Sequence, residues 1–391
     1  MSPSPAMTKL GEVAEIVMGQ APPGTDCNTE GRGQVFVKAG EFDERRPIVR
    51  EWTTNPLKLA RQGDVLVCVV GATAGKINEA IDCAIGRSVA AVRPETARLL
   101  TGYLYHFLQT RVSRLRARSQ GMAQGVITRE MLQDIAIPLP PLPEQRRIAE
   151  ILDKADALRS KRRAALAQLD TLTQSIFLDL FGNHTTILNK WPTKRLGELL
   201  EFLTSGSRGW AEHYAESGDL FLRIQNVRRD ELLLDDIAYV KAPDTAEAKR
   251  TRVQPGDVLL SITADLGRTA VVPEGIGPAF INQHLSILRT KALVPRFLSA
   301  YLTSPVGQRQ VLGRNRQAVK AGLNFDDIRS FVVPVPPIEL QRDFTRRIAA
   351  VEALKTPHQT SLTELDALFS SLQHRAFRGE LASEGCVAGV A

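Results

Sequence analysis

No stretch of this 391-residue chain approaches the ~18–20 consecutive apolar residues of a membrane-crossing helix. Cysteine is scarce: four residues, Cys27, Cys68, Cys83 and Cys386, lie far apart and form no CxxC pair. Such spacing argues against a disulfide scaffold and a cysteine zinc site, and fits a reducing cytoplasm. The opening MSPSPAMTKL has no apolar signal-peptide core, so no export is expected. The six histidines form neither HExxH nor HxH. There is no GxSxG elbow, no GxGxxG fingerprint after a strand, and no (D/N)PP(Y/F) tetrapeptide of the amino-methyltransferase kind. Gly71-Ala72-Thr73-Ala74-Gly75-Lys76-Ile77 imitates a phosphate loop. It is one residue short between its glycines and has Ile where a magnesium-binding hydroxyl belongs, so it reads as a tight turn. No carboxylate pair recurs as a metal site would. Binding is therefore favoured over catalysis.

What the chain has is a repeat. Lys9-Leu10-Gly11-Glu12 returns as Arg195-Leu196-Gly197-Glu198, and Gly63-Asp64-Val65-Leu66 as Gly256-Asp257-Val258-Leu259. PLPPLPEQRR (Pro138–Arg147) returns as PVPPIELQRD (Pro334–Asp343), 196 residues later with five of ten positions identical. A period this long means two copies of a large unit, not a solenoid. Short β-branched runs, Val65–Val70 and Val89–Val92, Val258–Ile262 and Leu285–Leu288, read as strands. Gly102–Gln109 and Arg296–Thr303 read as short helices. The fold class is α+β: two pseudo-repeated globular domains separated by two long helices that pair as an antiparallel coiled coil. The expected divisions are domain 1 at 1–137, helix 1 at 138–183, domain 2 at 184–333, helix 2 at 334–381 and a flexible tail at 382–391.

The helices are read from heptads that follow the proline-rich segments. Ile148, Ile151, Ala155, Leu158, Arg162, Ala165, Leu169, Leu172 and Ile176 keep strict 3,4 spacing. Their mates 196 residues on are Phe344, Arg347, Val351, Leu354, His358, Ser361, Leu365, Leu368 and Leu372. Pro357 is expected to kink or split the second helix. Antiparallel pairing sets midpoint against midpoint, which predicts Arg162 beside His358. Homodimerisation through the same seam is the usual alternative.

Lys and Arg outnumber Asp and Glu by 50 to 43, a modest +7, so placement matters more than total. Arg111, Arg114, Arg116 and Arg118 lead into a Gly/Gln segment with Gln120 and Gln124. Arg309, Arg314 and Arg316 lead into Gln317 and Lys320. Arg and Lys neutralise phosphates, and Arg and Gln contact guanine and adenine edges; a solvated helix face is the plainer reading. Matched polar positions add candidates: Lys38 with Arg223, and Arg87-Ser88 with Gln283-His284. Gln225, Asn226 and Arg268 are further candidates. Arg159, Lys161, Arg162 and Arg163 read as the wet face of the first long helix, with DNA contact as the alternative.

PLPPLPEQ at 138–145 leading into a long helix, SIFLDLFG at 175–182 ending it, and AFRGEL at 376–381 ending the second resemble the specificity subunit of type I restriction-modification systems. The resemblance covers nearly the whole chain. It implies two target recognition domains, each reading one half of a split, asymmetric site in double-stranded DNA, and helices that set the gap. It also implies two docked methyltransferase (modification) subunits and a motor-nuclease subunit, with S-adenosylmethionine, ATP and Mg in those partners and no cofactor or membrane here. Residues expected to pair the helices or dock subunits are Glu144, Gln145, Ile148, Leu158, Arg162, Leu169, Gln341, Leu354, His358, Leu365 and Phe377. Leu340 stands where the first copy has Glu144. The rival reading is a non-catalytic coiled-coil adapter or DNA-binding protein with no restriction role.

Overall fold

A computed structural model of the chain describes residues 6–120, 126–183, 185–314 and 322–381, less the side chains at 113 and 118–120. The chain divides into two compact units, Met1–Ala164 with Gln359–Ala391, and Ala165–His358. The division cuts both long helices, so each unit is a globular domain with one half of each helix.

The repeat is visible in the topology. In the first domain, strands Ala14–Met18, Val89–Pro94, Val65–Cys68 and Ile77–Glu79 form an antiparallel sheet in that order. In the second, Leu200–Ser205, Leu285–Thr290, Val258–Ser261 and Thr269–Val271 repeat it. Each domain has another sheet containing one parallel pair: Gln34–Val37 with Cys83–Ile85, and Asp219–Leu222 with Ala279–Ile281. Short helices Thr101–Gln109 and Pro295–Thr303 close the cores with Tyr103, Phe107, Phe297 and Tyr301, all fully buried.

The recurring tetrapeptides have structural causes. Asp64 and Asp257 are buried and each takes a two-pronged bond from an arginine of the central strand: Arg93 at 3.0 and 2.9 Å, Arg289 at 2.7 and 2.8 Å. In Lys9-Leu10-Gly11-Glu12 the leucine is buried and its amide donates to Ile135 O at 2.8 Å; Leu196 does the same to Phe331 O. A Cβ on Gly11 would lie 2.9 Å from Gln133 Cβ, and one on Gly197 3.0 Å from Arg329 Cβ, so only glycine fits this approach.

The long helices run Leu142–Phe181 and Ile338–Ala376, the first ~60 Å at 1.5 Å per residue. Pro143 occupies the first turn, where no intrahelical partner for its nitrogen is needed. The second helix runs through Pro357 without a break, so of the expected kink or split the split does not occur. The proline is exposed, and Val351 and Phe369 on either side are buried, so packing holds both flanks of the lost hydrogen bond. In the first unit the helix halves run antiparallel: Arg147 donates to Leu381 O at 3.0 Å, and Arg159 and Arg163 to Asp366 at 2.6 and 3.0 Å. In the second unit Asp170 pairs with Lys355 at 2.5 Å and Phe177 meets Phe344 edge-on at 5.7 Å.

The buried stripe corrects the seam. Ile148, Ala155, Arg162, Leu169 and Ile176 keep their inward place, but Leu158 and Leu172 are exposed. Their inward positions belong to Arg159 and Thr173, one residue further on, and Leu152 is buried beside the half-buried Ile151. The second helix behaves alike: Ile348, Lys355 and Phe369 face inward in place of the exposed Arg347, Leu354 and Leu368. Hydrophobicity marked the wrong half of the heptad because a cation can fill an inward slot when a carboxylate faces it. Arg159 does so, between Asp366 and the Phe369 ring at 4.2 Å. Arg162 belongs to the first unit and His358 to the second.

Each helix is pegged to its own domain by a buried glutamine. Gln145 accepts from Leu100 N at 2.9 Å and donates to Arg98 O and Pro140 O at 2.8 and 2.9 Å. Gln341 accepts from Val294 N at 2.8 Å and donates to Pro336 O at 2.8 Å. Leu100 and Val294 are the residues that cap the short helices, so the side chain serves an N–H at a helix start. A second anchor differs between the units. In the first, Arg45 binds Glu79 at 2.6 Å and Asp153 of the long helix at 2.9 Å, and His106 Nε2 also meets Asp153 at 2.9 Å. In the second, Arg296 lies 3.6 Å from Asp230 and also binds Glu352 of the long helix.

Replacing Gln145 or Gln341 by Leu leaves a buried amide without an acceptor and should cost about 1–3 kcal/mol in urea unfolding of the full chain. Asp230 gives a pH signature. Burial pushes its carboxyl up to about 6, against the pull of Arg296. The folded chain then binds the proton more tightly than the unfolded chain, so stability falls as pH rises from the ordinary carboxylate range to about 6. Asp230→Asn, whose side chain tolerates the φ of +62° at this position, should flatten that part of the stability–pH curve.

Candidate nucleic-acid interface

One end of each domain gathers the matched polar positions. The two strands of each parallel pair finish side by side there. Lys38 follows Gln34–Val37, and Arg87 lies just beyond Cys83–Ile85. Gly86 amide donates to Val37 O at 2.9 Å, and Ala39 amide to Ser88 Oγ at 3.1 Å. In the second domain Asn282 amide donates to Leu222 O at 3.1 Å, which brings Gln283 and His284 beside Arg223.

The segment returning from the Gly/Gln loop reaches the same end. Val69 amide donates to Ser88 O and receives Ile127 amide on its own carbonyl, both at 2.8 Å. Ile262 repeats this with His284 O at 2.9 Å and Leu323 amide at 3.0 Å. Gln124, Arg316, Gln317 and Lys320 lie outside the described residues, as do the side chains of Arg118 and Gln120.

The individual side chains are less free than their charges suggest. Lys38 is paired with Glu51, which raises its pKa chiefly through that hydrogen bond. Arg223 donates to Asp236 O at 3.2 Å, and Gln225 to Asp236 Oδ2 at 2.8 Å. Asn226 is buried and braces the loop, accepting from Arg223 N at 2.9 Å and donating to Leu233 O and Asp236 O at 3.0 Å. That engagement takes it out of the set of base readers. Arg268 pairs with Asp265, and His284 is held between Thr263 and Gln283. Arg87 and Arg114 are exposed, while Arg116 donates to Ala74 O at 2.6 Å. Arg314 donates to Ser330 O at 3.3 Å and stacks over Phe331 at 5.5 Å. Glu51 and Asp236 escaped the sequence reading, although each follows its cation at the same spacing.

The imitation phosphate loop is a closed turn. Ala74, Gly75 and Lys76 amides donate to Gly71 O, Cys68 O and Thr73 O at 2.7–3.0 Å, and Lys76 Nζ to Phe42 O at 2.8 Å. These amides point inward and cannot cradle a phosphate. Among the described residues no group of three His, Cys, Asp or Glu is placed to hold a metal ion. No helix there is long and apolar enough to cross a membrane.

The helix residues sort by direction. Ile148, Gln145 and Gln341 are buried, and Leu169 and Leu365 are half-buried. Glu144 pairs with Arg147 at 2.7 Å; in the second copy, where Leu340 and Asp343 hold those places, Asp343 binds Arg347 at 2.9 Å. Phe377 packs edge-on against Tyr103 and Phe107 at 5.3 Å, closing the first unit's core. Leu158 and Leu354 face outward, 53% and 55% exposed.

Comparison with known proteins agrees with this arrangement. The type I restriction modification DNA specificity domain matches twice, over residues 6–168 and 189–366. The specificity subunit of the type I restriction enzyme EcoBI of Escherichia coli is 24% identical over 349 residues, 79% of this chain and 73% of that protein. That of EcoKI, from E. coli K12, is 26% identical over 78% of this chain and 70% of that protein. In fold, the crystal structure of a type I restriction-modification S subunit from M. genitalium superposes with a TM-score of 0.58 at 16% identity, covering 95% of this chain and 96% of that one. A chain from a structure of type I system assembly gives 0.51 at 20% identity, over 97% and 99%. With the specificity domain present in both halves, the chain belongs to the type I restriction-modification DNA specificity family.

Proposed function

We propose that each globular domain reads one half of a bipartite, asymmetric DNA site, and that the long helices set the gap and dock two modification subunits in the cytoplasm. The chain is a DNA sequence-specificity subunit, and methyl transfer, ATP-driven translocation and cleavage lie in its partners. The observation that carries the reading is the recurrence of one strand junction with different side chains. Lys38 and Arg87-Ser88 occupy it in the first domain, Arg223 and Gln283-His284 in the second. A shared scaffold with divergent polar tips suits two different half-sites. The half-sites lie about one DNA turn, ~34–36 Å, apart, a distance within reach of helices this long.

The outward leucines suit the docking. Leu158 and Leu368 are exposed in the first unit, Leu172 and Leu354 in the second. Each sits one residue before an inward-facing position, and the two sets are related by the 196-residue repeat. Two equivalent apolar spots fit two copies of one partner. The basic run fits the adapter reading less well, since an adapter needs no matched polar ends.

Co-expression with the modification subunit of its own operon in a methylation-free host, followed by genome-wide mapping of methyladenine, tests the function. One gapped, asymmetric motif that vanishes without this chain is expected; a soluble complex with no modification favours the adapter. For the docking, Leu158→Glu with Leu368→Glu should lower the bound modification subunits from two to one by native mass spectrometry.

A further inference from the structure

In the first domain the Lys38–Glu51 pair stands in an open cleft of about 540 Å³ beside Cys27, Asn28, Arg32 and Phe36. Lys38 is 44% and Glu51 22% exposed, so both charges reach solvent. In the second domain Arg223 and Asp236 hold the corresponding places, with the same spacing between cation and carboxylate. The surroundings match as well. Lys38 and Arg223 each follow the strand that enters the parallel pair. Each has its backbone amide held by a side chain three residues on, Glu41 at 2.8 Å and Asn226 at 2.9 Å. Glu51 and Asp236 each lie just before the strand that pairs antiparallel with the cation's strand.

Stability does not explain this recurrence, because partly exposed ion pairs contribute only ~0–1 kcal/mol. A cation with a carboxylate at its side presents donors and an acceptor together on a fixed backbone. In the major groove guanine offers two acceptors, O6 and N7, and its cytosine offers the N4 amine. An A·T pair offers its cation only one acceptor on the purine, next to a donor. A G·C pair gives the cation two acceptors and the carboxylate the cytosine amine, one acceptor more than adenine N7 offers beside its own amine, so it is the better complement of a cation–carboxylate pair.

Resting on the proposed DNA reading, we propose that Lys38 with Glu51, and Arg223 with Asp236, are the base readers of the two domains. Each takes one G·C pair, the cation on guanine O6 and N7 and the carboxylate on the cytosine amine. Gln225, already bonded to Asp236, orients that carboxylate in the second domain.

The test uses the full chain with its modification subunit, mapping methyladenine for the native protein, Glu51→Gln and Asp236→Asn. The native motif should contain a G·C pair in each half. Glu51→Gln should relax one such position by about tenfold in one half only, and Asp236→Asn should do so in the other. A native motif lacking G·C in either half, or unchanged motifs in both variants, overturns the assignment while leaving the specificity role intact. Absence of any native motif overturns the role itself. Should a variant lose all modification, Cys27 decides: it is a half-buried free thiol in the cleft, whereas Cys68 and Cys83 are fully buried. Cognate duplex should slow iodoacetamide labelling of the Cys27 peptide several-fold relative to a scrambled duplex. Equal labelling overturns the proposal.

Discussion

The rest of the structure depends on two buried glutamines. Gln145 and Gln341 join the first turn of each long helix to the start of a short helix in the adjoining domain. An amide side chain is suited to this because it accepts and donates at once, and the site needs both. Each glutamine also donates to a proline carbonyl of the segment before its helix: Pro140 O in one copy, Pro336 O in the other. The proline-rich motif is thus a joint. It fixes the direction in which a ~60 Å helix leaves its domain.

The two copies share the joint but not the lock beside it. Arg45 of the first domain corresponds to Asp230 of the second, at the same offset that relates Lys38 to Arg223, so the charge presented by the same loop is inverted. Arg45 reaches Asp153 directly, whereas Asp230 acts through Arg296 on Glu352. Each domain is keyed to its own stretch of helix. In both units the helix offers a carboxylate and the domain a cation, but the cation comes from a different element in each.

Charge placement in the domains follows a related logic. Three of the cations at the candidate interface are held by nearby carboxylates, Lys38 by Glu51, Arg223 by Asp236 and Arg268 by Asp265. The chain's net charge is a modest +7. Phosphate attraction from so small an excess is limited, which places weight on shaped contacts to bases rather than on bulk charge.

Composition and repeats in the sequence determined a great deal: two α+β domains, two long helices and the family. Strands such as Val65–Cys68 and Leu285–Thr290 were legible because β-branched runs between turns leave few alternatives. The a-type half of the seam was legible for the same reason of period. The other half was not. Leu158 and Leu354 carry the hydrophobicity that marks an inward position, yet Arg159 and Lys355 occupy it. That outcome depends on Asp366 and Asp170, which lie on the opposite helix. Likewise Glu51 and Asp236 acquire meaning only beside cations on a neighbouring strand end, and Asn226 loses a surface role only once its loop closes around it. Periodicity and composition are local properties that a linear chain displays; the partner of a charge is a distant residue that only folding brings within hydrogen-bond reach.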